Sequence, residues 1–157
     1  AWRVITYEKG SWIIHMLRQQ MGDERFLAFL RAICERYKAS PFGIAQFQAL
    51  AREFLPADAP EASLEDLFEN WIYGTGIPTL KLSFRVHGAK LNGTLAQSGV
   101  ANDFTAWVPI VIEDGARHSV KWVETGDDPA TFTVPVKQAS ARAELPKSWL
   151  YSVAEPK

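Results

Sequence analysis

Few side chains in this 157-residue sequence are candidates for chemistry. The three histidines come first, because imidazole is the commonest metal ligand. His15 falls in a helical pattern, His87 at a hairpin turn and His118 at a strand start, with neither HxH nor HExxH spacing. Metal binding by this chain alone is therefore not expected. No serine stands in a GxSxG elbow, which removes the commonest hydrolase signature. Gly74-Thr75-Gly76 is too short for a phosphate loop, precedes no helix and reads as a linker. Asn92-Gly93-Thr94 matches the glycosylation acceptor triplet but lies in a strand pattern. Cys34, the sole cysteine, rules out an intrachain disulfide and a CxxC metal site. The tryptophans could stack on sugars, yet Trp12 and Trp71 fall in helices and Trp107 and Trp122 in strands, where core packing explains them.

What remains is Tyr7-Glu8-Lys9-Gly10, at the threshold of an amphipathic segment. With Thr6 as N-cap, Tyr7 takes the first helical position, Glu8 complements the positive end of the helix dipole and Gly10 leaves the adjacent backbone uncovered. A helix needs only a cap and an apolar stripe to begin. A tyrosine beside a glycine in its first turn suggests a further demand.

The elements that must position these residues follow from the hydrophobic period. From Tyr7 to about Tyr73 apolar residues recur at helical spacing, clearest at Phe26, Leu30, Ile33 and Tyr37, flanked by Leu27 and Cys34. The pattern predicts helices over Tyr7 to Gln20 and Asp23 to Lys38, broken at Met21-Gly22 and before Pro41. A third helix starts near Gly43 and carries Phe47, Leu50 and Phe54. A fourth is capped by Ser63 and ends at Trp71-Ile72-Tyr73. The intervening "LPADAPEAS" reads as a loop.

After Gly74-Thr75-Gly76-Ile77-Pro78 the period changes to two, with Leu80, Leu82, Phe84 and Val86 alternating against polar residues. Strand-like runs follow at 90–97, 104–112, 118–123, 131–136 and 141–145, separated by turn signals such as His87-Gly88 and Asp114-Gly115. The expected fold is α+β: an N-terminal α-helical bundle over residues 1–78, then an antiparallel β-sandwich over 79–157. Pro109 and Pro135 should sit at edges or bulges, because proline cannot donate to a ladder.

Composition excludes some partners. The net charge is -1, with 17 basic and 18 acidic residues and no basic block, so nucleic acid is not expected. No apolar run approaches a membrane span, and no signal-peptide pattern opens the chain. Beginning at Ala1 without an initiator methionine, the sequence reads as a processed product or a piece of something longer.

The run "YEKGSWIIHMLRQQMGDERFLAFLRAICERY" resembles the segment that follows the zinc site in the aminopeptidase N family of zinc metallopeptidases, the gluzincin aminopeptidases. That family's pattern is Tyr-x-Lys-Gly, an apolar helix with Leu-Arg, then Gly-x-x-x-Phe. Here it is matched by Tyr7, Lys9 and Gly10, by Leu17-Arg18, and by Gly22 with Phe26. The later "FENWIYGTGIPTLKLSF", with Phe68, Trp71, Gly76 and Pro78, resembles the passage from the helical part of the family's thermolysin-like catalytic domain to its β-sandwich.

The resemblance implies that Tyr7 points its hydroxyl at the scissile carbonyl and stabilises the tetrahedral oxyanion opposite the zinc. Lys9 and Gly10 would give support and close backbone packing. The family's HExxH helix, its downstream glutamate ligand and its Gly-x-Met-x-Asn strand have no counterpart in the sequence. The implied reading is a fragment of a zinc aminopeptidase, inactive alone, with zinc and peptide substrate bound only in the full-length parent and a missing N-terminal catalytic segment as its structural partner. The rival reading is a non-catalytic β-sandwich that binds a protein or glycan, with a helical docking base. It predicts an exposed apolar or aromatic patch on the sandwich.

Overall fold

The computed structural model describes residues 8–153. The chain divides into two compact units, residues 1–73 and 74–157. Its architecture is α+β, helices followed by a β-sandwich, as the change of period implies.

In the first unit α1 (Gly10–Met21) and α2 (Asp23–Arg36) are separated by a single residue, Gly22, at φ +79. Glycine reaches that left-handed conformation without the Cβ penalty, and its N–H closes α1 by donating to the Arg18 carbonyl at 2.8 Å. Arg18 Nε also donates to Asp23 Oδ1 at 2.7 Å, tying the two helices across the turn. α3 (Ile44–Glu53) starts at Gly43, whose N–H donates to Gln46 Oε1 at 3.2 Å.

An aromatic cluster holds these helices together. Phe29 is wholly buried, with ring centroids of Phe26, Phe47 and Phe54 at 6.2, 5.2 and 5.9 Å. The buried face of α2 is Phe26, Phe29 and Ala32. This corrects the stripe read from the sequence, because Leu30 is 39% exposed and Leu27 and Cys34 are exposed beside it. Apolar residues occur on more than one face of α2, so spacing alone did not distinguish the face that packs.

The fourth helix begins at Glu65 and continues as a π-helical segment, Leu67–Tyr73, that buries Leu67, Phe68 and Trp71. Its capping is shared. Ser63 Oγ accepts from Glu65 N–H at 3.2 Å, as the sequence suggested, but Asp66 N–H donates at 2.6 Å to the carboxylate of Glu61.

The second unit holds two sheets, ordered β5-β2-β1-β7 and β4-β3-β6. β1 (Thr79–His87) and β2 (Lys90–Ser98) form one antiparallel hairpin, and β3 (Ala106–Asp114) and β4 (Arg117–Thr125) another. Their turns contain Gly88 and Gly115 at φ +59 and +67. β5 (Ala130–Pro135) adds to β2, and β6 (Arg142–Glu144) adds to β3. β7 (Ser152–Val153) pairs parallel to β1, so the first sheet is mixed at that edge.

Alternation sends Leu80, Leu91, Leu95 and Phe132 of one sheet and Val108, Ile110, Ile112 and Val123 of the other into the buried interior. Pro135 closes the edge strand β5. Pro109 lies in β3, where β6 does not reach, since β6 pairs only with Val111, Ile112 and Glu113. One neighbour there suits a residue without an N–H.

Candidate functional site

Tyr7, on which the resemblance places catalysis, lies outside the described residues. The site can be followed from Glu8 onward. Glu8 and Lys9 form a π-helical turn that runs directly into α1, with Lys9 at φ -62 and ψ -43. Ser11 Oγ donates to the Glu8 carbonyl at 2.9 Å. Lys9 is half-buried, and burial pushes its ammonium below the usual lysine range. Gly10, also half-buried, is the first residue of α1.

The helix behind this turn is firmly seated. Met16 and Leu17 are wholly buried, with Ile13 and Met21 close to it, so α1 cannot rotate without disrupting its core. On a neighbouring face the Trp12 ring meets His15 edge-on at 6.1 Å, and His15 Nε2 lies 2.8 Å from Gln19 Nε2. An amide nitrogen can only donate, so the imidazole Nε2 accepts there.

Most of the other residues behind the resemblance have mechanical roles. Leu17 and Phe26 are core, Gly22 makes the sharp turn, and Arg18 holds Asp23, whose carboxyl it keeps below the usual carboxylate range by hydrogen bond and charge. Phe68 and Trp71 are buried at 1% and 2% exposure. A Cβ at Gly76 would meet Val100 Cγ1 at 2.8 Å, closer than side chains approach, and the Pro78 carbonyl accepts from Ser152 N–H at 2.9 Å.

The histidines are not gathered. His15 is on α1, His87 ends β1 and His118 begins β4, and among the described residues no group of three or more His, Cys, Asp or Glu is placed to hold a metal ion. The loop reading of "LPADAPEAS" assigned no role to Glu61, which is 8% exposed and caps the helix that follows. An acid a few residues before a helix start was the available signal.

No family model matches the chain. Over 107 residues it is 26% identical to human aminopeptidase O, a match covering 68% of this chain and 13% of that protein. The chain thus spans a small part of the length of the relative it matches, and is distantly similar to an aminopeptidase.

Proposed function

We propose that the chain is part of a zinc-dependent aminopeptidase, the part that supplies an oxyanion-stabilising tyrosine, Tyr7, and the β-sandwich that follows. The observation that carries this reading is the run Tyr7-x-Lys9-Gly10, Leu17-Arg18 and Gly22-x-x-x-Phe26. Similarity to an aminopeptidase over two thirds of the chain supports it.

The chemistry asked of Tyr7 is limited. When a peptide carbonyl becomes tetrahedral its oxygen gains negative charge, and a fixed phenolic O–H aimed there stabilises the transition state more than the substrate. The seated core of α1 suits that task, since a donor is worth most when it need not be reoriented. Lys9 and Gly10, which follow Tyr7 in the sequence, lie where α1 begins. Zinc ligands and the anchor for the substrate's amino terminus belong to the parent enzyme, and the chain alone is not expected to cleave peptides.

The test is Tyr7→Phe in the full-length parent. Loss of one oxyanion donor should lower kcat by about 10²- to 10³-fold with zinc content unchanged. Preserved turnover would end the assignment.

A second reading, an interaction module, has one observation in its favour. Val120 of β4 is 55% exposed, pairs across strands with Val111, and shares the outward face of its sheet with half-buried Trp107 and Trp122. Turnover unaffected by Tyr7→Phe would leave this reading standing.

A further inference from the structure

The turn between α3 and the π-helical segment is held in an unusual way. Leu64, wholly buried, sits at φ +56, a left-handed conformation that costs a residue with a Cβ and persists only where its surroundings over-determine it. Its carbonyl accepts from Phe68 N–H at 3.1 Å, so the strained residue starts the segment.

Two side chains fix it. Arg52 of α3 donates through Nε to the Ser63 carbonyl and reaches Glu65 Oε1 at 3.5 Å. Glu61, 8% exposed, accepts from Asp66 N–H at 2.6 Å on the far side of Leu64. The charged group facing Glu61 from the turn that leads into the segment is Asp66, whose negative charge disfavours a second one beside it. From α3, Arg52 reaches this turn but is engaged with Ser63 and Glu65. Among the described residues no salt bridge involves Glu61, so an ionised Glu61 is buried there without a cation, whereas a neutral carboxyl keeps a carbonyl oxygen for Asp66 N–H.

We propose that Glu61 is a protonation-sensitive latch on the Leu67–Tyr73 segment, holding the segment closed when neutral and loosening it when ionised. Burial is the main cause that lifts this carboxyl to about 7, Asp66 adds to it, and the N–H groups of Asp66 and Leu67 with the Ser63 hydroxyl oppose it. A carboxyl raised in the folded state favours folding at low pH. That contribution declines as pH rises from the ordinary value of 4.5 and is gone above about 7. The segment is the last element of the first unit, which ends at Tyr73, so the latch sets how firmly that unit is closed near neutral pH.

The test is amide hydrogen exchange on the whole chain, read as protection factors at Phe68 and Trp71 between pH 5 and 8. Protection should fall on the order of 50-fold across that range in the native sequence and stay nearly level in Glu61→Gln, which keeps the acceptor and removes the charge. A flat native profile, or an equal slope in Glu61→Gln, would overturn the latch. If Glu61→Gln does not fold, Asp66→Asn serves instead: with the like charge gone the midpoint must move to lower pH, and an unmoved midpoint overturns the proposal equally.

Discussion

The ring of Phe132 lies against Gly93, so close that a Cβ built on that glycine would fall far inside contact distance of the ring's Cζ. The two are directly paired across β2 and β5, and the ring occupies the space a side chain would need. Gly93→Ala should therefore destabilise the sandwich by about 1 to 3 kcal/mol as Phe132 is forced aside. The same change at Gly126, where nothing lies within 4 Å, should be nearly neutral. Urea denaturation of both variants checks the contrast, and equal midpoints would contradict it.

The helical unit should depend on its aromatic centre far more than on its surface charges. Phe29→Ala removes the wholly buried ring that meets Phe26, Phe47 and Phe54, with an expected cost of about 3 to 5 kcal/mol. Arg36 makes a two-pronged bond to Glu53 at 2.9 and 2.7 Å, but both side chains are half exposed. Arg36→Ala should cost less than about 1 kcal/mol, and less again in high salt.

Asp114 closes the β3–β4 hairpin end onto the segment after β5. Its two carboxylate oxygens accept from the N–H groups of Lys137 and Gln138 at 2.8 and 2.9 Å. Asparagine can replace only one of those acceptors, so Asp114→Asn should cost about 1 kcal/mol and Asp114→Ala roughly twice that. Thermal unfolding of the two variants should rank them in that order.

Zinc provides a test independent of turnover. The chain alone, dialysed against zinc and assayed by atomic emission, should retain far less than one equivalent. A parent enzyme of the proposed kind should retain one and lose its activity to a chelator. Stoichiometric uptake by the chain would show that its dispersed histidines had been misread.

The parts of the fold legible beforehand are those set by local chemistry. Gly22, Gly88 and Gly115 all take left-handed φ values, and each marks a turn that the sequence signalled. Pro135 ends an edge strand as its missing donor requires. The Asn92-Gly93-Thr94 triplet gains a packing explanation, since Gly93 makes room for Phe132 and Asn92 Oδ1 accepts from Thr133 Oγ1 at 2.8 Å. Features set by distant partners were not legible. Which face of α2 packs depends on Phe47 and Phe54 of another stretch, and β7 is defined only by its pairing with Thr79 and Leu80. The π geometry of Leu67–Tyr73 likewise has no local sequence marker, and an acid before a helix start signals a cap but not the burial of Glu61. Of the candidate site, the motif was visible and Lys9 and Gly10 can be followed, while Tyr7 lies outside the described residues.

The tryptophans that pack edge-on in the sandwich, Trp122 and Trp149, have ring centroids 5.5 Å apart at 70°, and Trp71 is buried in the helical unit. Two indoles that close couple their electronic transitions, which gives the second unit a paired circular-dichroism band that a lone, distant tryptophan does not produce. Melting of the sandwich should erase that couplet, while loss of the helical core should shift the emission of Trp71. The couplet thus reports the second unit in unlabelled protein, whereas the emission sums six tryptophans and isolates Trp71 only once the others are replaced.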